Sequence, residues 1–295
     1  MVNKKRLAAL FAVLFIGAAS AVFFAARPNV YEAAPASPVL LPILMFHSVS
    51  VYDVGVPDMI VTQYQLRAYL AAMQDAGYTA ITFGQLEDYL AGRGTLPQNP
   101  FIITFDDGYL DNYTLAFPVL EELGMPAVFN ILGLRRGQDT YMGRPSVPHF
   151  TWEQARRLYD SGFIEFGNHS WDMHGAPGIT PGRLGLTKLA GETYEEFADV
   201  ITLDLRTMHG QFFEVFGRRS YIYAYPFGWL NEFTESILRE NGYRVTLGTE
   251  EFVNMVQTAD DLFAMGRINV NAAMTPGDLL YRVGTLAREA YFATE

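Results

Sequence analysis

Short apolar stretches alternate with amphipathic segments from Leu41 towards the end of the chain. The apolar stretches have the length of strands, as at 101–105 (FIITF) and 126–132 (PAVFNIL). The segments between them repeat apolar residues at helical spacing. We count about seven or eight strands by this pattern. Repeated strand–helix units predict parallel strands with right-handed crossovers, in a barrel or an open sheet, and one domain accounts for them.

Capping residues mark several of the predicted helices. Thr62 precedes a helix over 63–76, and Thr275 precedes one that has Pro276 at its first position. Further helices are expected at 113–123, 192–217 and 231–240. The stretch 175–190 is rich in Gly and Pro, which predicts a loop.

The N-terminal residues 1–26 differ from the rest of the chain. A basic cluster at 4–6 precedes a wholly apolar run from Leu7 to Ala26, long enough to span a bilayer. The run is either a cleaved signal peptide or a retained signal anchor, and both predict an extracytoplasmic protein, secreted or membrane-anchored. Residues 27–41 contain three prolines and predict a linker. The folded domain is expected over 42–295.

Composition narrows the possible functions. Half of the residues are hydrophobic and 18% are charged, which is typical of a globular protein with a large core. The formal net charge of −11 disfavours nucleic acid as a partner, because the phosphates would be repelled. The absence of cysteine excludes disulfides, thiolate metal sites and cysteine nucleophiles.

Polar side chains stand where several of the predicted strands end. In α/β barrels, functional residues lie at the carboxyl ends of strands. The residues in such positions are His47, Asp106, Asp107, His169, His174, Tyr225 and Arg267.

Two adjacent aspartates follow the apolar strand FIITF. Neighbouring side chains of a strand face opposite ways, so Asp106 and Asp107 can converge only where the strand breaks, and Gly108 supplies the break. Two carboxylates at such a place are costly without a cation. The alternative is a simple Asp-Gly turn, in which the aspartate hydrogen-bonds its own backbone.

His169 and His174 are five residues apart, which places them about 140° apart around a helix. One helical face therefore cannot present both, but a loop leaving a strand can. Two neutral imidazoles and one carboxylate are a usual catalytic set for Zn²⁺. His47 is either part of this chemistry or a core histidine, and Trp171 either stacks on a sugar ring or packs.

Together these residues resemble the NodB-type polysaccharide deacetylases, carbohydrate esterase family 4, over about 41–270. TFDDG at 104–108 matches the first motif of the family, and NHSWDMH at 168–174 resembles its histidine motif. The histidine spacing and the opening LPILMFHSV resemble the branch that includes exported poly-N-acetylglucosamine deacetylases. The resemblance implies an α/β fold with a single distorted (β/α)7 barrel.

The resemblance also implies roles for the strand-end residues. Asp107, His169 and His174 would bind the metal, with Zn²⁺ expected and Co²⁺, Ni²⁺ or Mn²⁺ as alternatives. Asp106 would be the general base, and in this branch His47 would be the general acid.

A third motif is recognisable in altered form. AYPFG at 224–228 resembles the segment in which a backbone N–H, at the Tyr225 position, helps to hold the oxyanion. Ala224 replaces the arginine of this motif, and Arg267 is expected to replace that arginine beside Asp106. The later Asp-x-x-Asp-Trp and Leu-His motifs are missing.

The resemblance therefore implies an enzyme that removes acetyl groups from N-acetylglucosamine-type units of a polysaccharide outside the cytoplasm. Two alternatives remain open: an esterase of O-acetylated polymers that uses the same site, and a weakly catalytic carbohydrate-binding barrel. A glycosidase would need a second carboxylate motif of similar quality, and none is visible.

Overall fold

The computed structural model describes residues 37–53, 55, 58–141, 144–145, 147–175 and 183–293. The apolar run at 7–26 and most of the predicted linker lie outside these ranges, so both remain predictions. No helix within the described ranges is long and apolar enough to cross a membrane. The end of the predicted linker is a correction, because residues Val39–Leu41 form a strand of the folded domain.

Fourteen strands, several of them only two or three residues long, are present in the described residues. In chain order they are β1 Val39–Leu41, β2 Ile43–Phe46, β3 Ser48–Ser50, β4 Ile60–Thr62, β5 Thr79–Ala80, β6 Pro100–Phe105, β7 Ala127–Ile131, β8 Thr140–Tyr141, β9 Arg144–Pro145, β10 Ile164–Asn168, β11 Ile222–Ala224, β12 Val245–Leu247, β13 Asn254–Val256 and β14 Ile268–Asn269.

The α-helices of the described residues include those that the amphipathic pattern predicts, although α3 begins later than expected. They are α1 Gln63–Asp75, α2 Phe83–Leu90, α3 Phe117–Leu123, α4 Trp152–Asp160, α5 Tyr194–Phe216, α6 Glu232–Glu240 and α7 Pro276–Phe292.

Seven parallel strands form the path of the main sheet, in the order β12-β11-β10-β7-β6-β2-β14, and an eighth short strand, β5, pairs with β6 beside this path. The two ends of this sheet approach each other around Met265. The N–H of Met265 donates to the Thr246 carbonyl, and its carbonyl accepts from Gly248 N–H, both at 2.9 Å. The sheet is thus the distorted (β/α)7 barrel that the sequence implies.

Side-chain caps fix where the helices begin. Thr62 and Thr275 each accept a hydrogen bond from the third residue of their helix, whose side chain bonds back to the cap backbone. The helix predicted at 113–123 starts differently. Residues Asn112–Ala116 form a wider π-helical turn before α3 begins.

The strands that carry the candidate residues are almost entirely buried. Every residue of β6 and β7 is buried, and most of β10 is. Because these strands are parallel neighbours, their carboxyl ends lie at one edge of the barrel. The barrel therefore brings the chain segments after residues 105, 131 and 168 together.

Candidate active site

A tight turn at Asp106–Gly108 breaks strand β6. Asp107 has φ 67° and Gly108 has φ 72°. The N–H of Gly108 donates to the Asp106 carbonyl at 2.8 Å, so Asp107 is the central residue of a three-residue turn with the φ of a classic γ-turn. This rare conformation lets both adjacent carboxylates face the barrel mouth.

Asp106 is almost fully buried and bound on both carboxylate oxygens. Arg267 reaches it in bidentate fashion, with Nη1 to Oδ1 and Nη2 to Oδ2 at 2.8 Å each. Asn130 Nδ2 donates to Oδ1 at 2.8 Å. Burial alone would raise the pKa of Asp106, but the charge and hydrogen bonds of Arg267 outweigh it and hold that pKa well below its usual range. Asp106 is therefore ionised at neutral pH.

A glycine makes room for Asn130. Gly167 lies opposite Asn130 in the register of β10 and β7. A Cβ at Gly167 would lie 2.0 Å from Asn130 Oδ1, so any other residue would displace this amide from its place beside Asp106.

The histidine loop, residues 169–174, follows strand β10. Both carboxylate oxygens of Asp204, on helix α5, accept hydrogen bonds from the backbone of this loop. One accepts from the Trp171 N–H and the other from the Asp172 N–H, at 2.9 Å each. The N–H of Ser170, which has φ 84°, donates to the Asn168 side chain at 2.7 Å. These bonds fold the loop so that its first and last residues face the same point.

The structure brings Asp107, His169 and His174 together. Asp107 Oδ1 lies 3.5 Å from His169 Nε2 and 3.4 Å from His174 Nε2. One ligand atom of each residue lies within 4.8 Å of the other two. This group can hold a metal ion.

The chemistry of these three residues fits a divalent cation. His169 Nδ1 lies 2.7 Å from the Ala224 carbonyl, which requires a proton on Nδ1 and so directs Nε2 as the atom of this imidazole that can bind a metal. Burial lowers the pKa of His174 to about 4 despite the attraction of Asp107, so its imidazole is neutral at neutral pH. Asp107 Oδ1 is buried without a hydrogen-bond partner in the described residues. A buried carboxylate oxygen of this kind is stabilised by a cation.

His47 follows strand β2 at the same edge of the barrel. Asn112 Nδ2 donates to its backbone carbonyl at 2.7 Å. Burial lowers the pKa of its imidazole, although Asp106 and Asp107 are close enough to oppose that shift. The imidazole is accordingly neutral at neutral pH.

The expected role of the Tyr225 amide needs correction. The Tyr225 N–H donates to the Leu247 carbonyl at 2.9 Å, as part of the pairing between neighbouring strands, so it is not available to an oxyanion. Phe227, two residues later, lies beside the site instead. Its ring centroid is 4.4 Å from that of His174, and its φ is 61°.

The Trp171 ring packs against the protein, which is the second of the two roles expected for it. A Cβ on Gly133 would lie 2.3 Å from an atom of the Trp171 ring, which shows how closely the indole covers that glycine. The ring also joins the main apolar core as a partly buried member. Trp229 is the more exposed tryptophan, at 48%, and its ring centroid is 6.2 Å from that of Phe227.

The other two histidines are buried. His209 stacks on Tyr243 at 4.9 Å, and His149 lies against Tyr109 at 5.1 Å. Neither belongs to the metal group.

Sequence reasoning missed Asn130 and Asp204. Both interrupt an otherwise apolar pattern, Asn130 inside the buried strand β7 and Asp204 on the buried face of α5. A polar residue in an apolar stripe is a usable signal, because burial requires a partner for it.

Comparison with known proteins agrees with the fold. The family model for polysaccharide deacetylases matches residues 93–246, slightly more than half of the chain. The chain belongs to the polysaccharide deacetylase family.

Two curated relatives narrow the comparison. The Bacillus subtilis (strain 168) protein YxkH is 28% identical over 238 residues, which cover 81% of this chain and 74% of YxkH. The poly-β-1,6-N-acetyl-D-glucosamine N-deacetylase of Escherichia coli (strain K12) is 27% identical over 202 residues, covering 63% of this chain. The match spans only 30% of that relative's length.

Solved structures share the fold. IcaB from Ammonifex degensii is 26% identical with a TM-score of 0.67, covering 85% of this chain and 97% of IcaB. A de-N-acetylase from Aggregatibacter actinomycetemcomitans is 19% identical with a TM-score of 0.72, covering 82% of this chain and 99% of that chain. The second likeness shows the fold alone.

Proposed function

We propose that this chain is an exported, metal-dependent hydrolase that removes acetyl groups from N-acetylglucosamine-type units of a cell-surface or cell-wall polysaccharide. The observation that carries the proposal is a buried carboxylate oxygen of Asp107 without a hydrogen-bond partner, close to the imidazoles of His169 and His174 and next to a second aspartate that is held ionised. Family membership and the similarity to poly-N-acetylglucosamine deacetylases support it. Export rests on the sequence pattern of residues 1–26.

Asp107, His169 and His174 would hold the cation, which we propose to be Zn²⁺, with Co²⁺, Ni²⁺ or Mn²⁺ as substitutes. The chemistry that a divalent ion held by these residues would supply is a lower pKa for water at the site and polarisation of the acetyl carbonyl. The three side chains are buried or partly buried, which keeps bulk water away from that chemistry.

Asp106 would take the proton from the attacking water. Arg267 keeps its carboxylate ionised and oriented, and the low pKa means that Asp106 does not retain the proton. The sequence implies an imidazolium at His47, but burial lowers the His47 pKa. We therefore propose that Asp106 passes the proton it took from the water to the neutral His47 imidazole. His47 then gives the proton to the amine nitrogen as the C–N bond breaks, and acetate and a free amine result.

The oxyanion donor must be a group other than the Tyr225 amide. Pro226 has no N–H, and the Gly228 N–H donates to the Tyr225 carbonyl at 2.9 Å. We propose the Phe227 N–H, since this residue lies against His174.

Incubation of the full-length chain with acetylated polymers tests the proposal. Suitable substrates are β-1,6-linked N-acetylglucosamine oligomers, peptidoglycan, chitin oligomers and an O-acetylated polysaccharide. Acetate and free amine should appear in equal amounts from at least one N-acetylated polymer. Acetate from the O-acetylated polymer alone would establish the esterase alternative, and polymer binding with no acetate release would establish the carbohydrate-binding barrel.

A further inference from the structure

The turn that presents Asp107 is conformationally unfavourable. A residue other than glycine rarely has a positive φ, and Asp107 has φ 67° inside a γ-turn. Such a conformation persists only where the surrounding structure holds it. The interactions of the Asp107 backbone therefore help to decide where its carboxylate lies, together with the side-chain hydrogen bond between Asp107 and Tyr109.

Arg136, in the segment after β7, provides the shorter of two hydrogen bonds to the Asp107 carbonyl, and the Leu132 N–H donates the other at 3.5 Å. Arg136 Nη2 donates to the Asp107 carbonyl at 2.7 Å, and its Nε donates to the Leu132 carbonyl at 2.9 Å. The guanidinium lies 4.4 Å from the centroid of the Phe150 ring. One planar group thus links the end of β6 to the end of β7, and the aromatic face fixes its plane.

The absence of a side chain at Gly108 makes room for the Arg136 guanidinium. A Cβ at Gly108 would lie 2.4 Å from Arg136 Nη1 and 2.8 Å from Nη2. The glycine therefore serves two needs, a positive φ and the close approach of the guanidinium. Arg136 itself is only 8% exposed, so it is a buried cation with few alternative places to go.

The charge of Arg136 does not favour a metal ion at Asp107. Two positive charges in a poorly solvated region repel each other, so the arginine should oppose the cation electrostatically. A benefit to metal binding must come from its hydrogen bonds. Lysine would keep the charge but lacks the planar fork that reaches two carbonyls at once.

We propose that Arg136 is a positioning residue for the metal site, which clamps the Asp107 carbonyl so that the carboxylate faces His169 and His174. The inference rests on the proposed function, in which Asp107 is a metal ligand. Arg136 acts through the backbone of that ligand and does not itself touch substrate or metal.

The test is Zn²⁺ binding to the full-length chain after chelator treatment, measured by titration calorimetry on wild type, Arg136→Lys and Arg136→Met. Thermal unfolding of each metal-free protein is recorded alongside. Arg136→Lys should bind Zn²⁺ about 10- to 100-fold more weakly, the usual range for a group that orients a ligand. Arg136→Met, which can still pack on Phe150, should also bind more weakly, and it keeps the test valid if the lysine variant does not fold. Arg157→Lys, an exposed change on α4, is the matched control and should bind as wild type does.

Two results would overturn the inference while leaving the proposed function intact. One is wild-type Zn²⁺ affinity in a folded Arg136→Lys protein, and the other is tighter binding by Arg136→Met, which would show that the charge matters and the clamp does not. A wild-type chain that binds no Zn²⁺ would refute the metal site itself, and the inference with it.

Discussion

The two loops that carry the candidate metal ligands are stabilised by opposite charges. The Asp turn, residues 106–108, is held by two buried arginines, with Arg136 on its backbone and Arg267 on the Asp106 carboxylate. The histidine loop, residues 169–174, is held by one buried carboxylate, Asp204, which accepts two backbone N–H groups. Each loop is therefore stabilised by residues that lie elsewhere in the sequence.

The pKa values of the two carboxyl groups in these interactions, Asp106 and Asp204, shift in opposite directions. Arg267 holds the pKa of Asp106 below its usual range, so its stabilising pair is present above about pH 4 and is lost as the pH falls. Burial raises the pKa of Asp204 to about 6 against the effect of its two backbone N–H donors. Asp204 therefore favours the folded state most below about pH 4, and that contribution is lost as the pH rises through about 6. The surroundings of Asp106 therefore stabilise its charged form, whereas the surroundings of Asp204 disfavour its charged form.

The largest expected effect comes from Asp107→Ala, which removes the single carboxylate of the metal group. Zn²⁺ binding should disappear and acetate release should fall to the rate without enzyme, because two imidazoles alone hold the ion poorly. Metal content by elemental analysis and acetate release are the measurements. Asp75→Asn, at the end of α1, serves as the control. Full metal content in Asp107→Ala would contradict the assignment of Asp107 as a metal ligand.

The second largest effect on acetate release is expected from His47→Ala. Loss of a proton-transferring group typically lowers turnover by about 10²- to 10⁴-fold, while the Zn²⁺ content should stay full because His47 is outside the metal group. Initial rates on an N-acetylated oligomer at saturating Zn²⁺ measure this. Near wild-type turnover would mean that a residue other than His47 donates the proton to the amine.

Arg267→Met tests the Asp turn by leaving Asp106 buried and unpaired. The free energy of unfolding should fall by about 3–5 kcal/mol, the usual cost of removing one partner of a buried ion pair. Denaturant unfolding gives this value. Adding Asp106→Asn to Arg267→Met should restore much of the stability without restoring activity. A single variant as stable as wild type would mean that the pair does not support the turn.

The smallest expected effect belongs to Asp204→Asn in the histidine loop. An amide retains one acceptor oxygen for two N–H donors, so Zn²⁺ affinity should fall by about tenfold, at the lower end for a residue that orients ligands. The stability of wild type relative to this variant should decline by at most about 3 kcal/mol between pH 4 and pH 6, and then level off. Unfolding curves at several pH values measure the decline. A relative stability that rises over that interval would contradict the assignment.

The sequence predicts the barrel well because its strands and helices depend on local patterns. Thr62 and Thr275 cap the expected helices, and the strand-end aspartates and histidines do meet. The γ-turn at Asp107 was beyond sequence reasoning, because it depends on an arginine 29 residues later.

The remaining differences have the same kind of cause. The sequence does not show that the Tyr225 amide pairs with Leu247, since that pairing is set by the register of two strands. Trp171 packs because Gly133 leaves a space for its ring, which is a contact between two loops. Such long-range contacts follow from the assembled barrel and not from a local pattern.

Acetate release by the metal-depleted and reconstituted chain tests the central claim most directly. The full-length protein is stripped with chelator, divided, and assayed on a β-1,6-linked N-acetylglucosamine oligomer with and without one equivalent of Zn²⁺. Release should be absent from the stripped sample and restored by Zn²⁺, and Asp106→Asn should stay inactive although it binds the ion. Undiminished acetate release from the fully stripped protein, or no release from any acetylated polymer after reconstitution, would contradict the account.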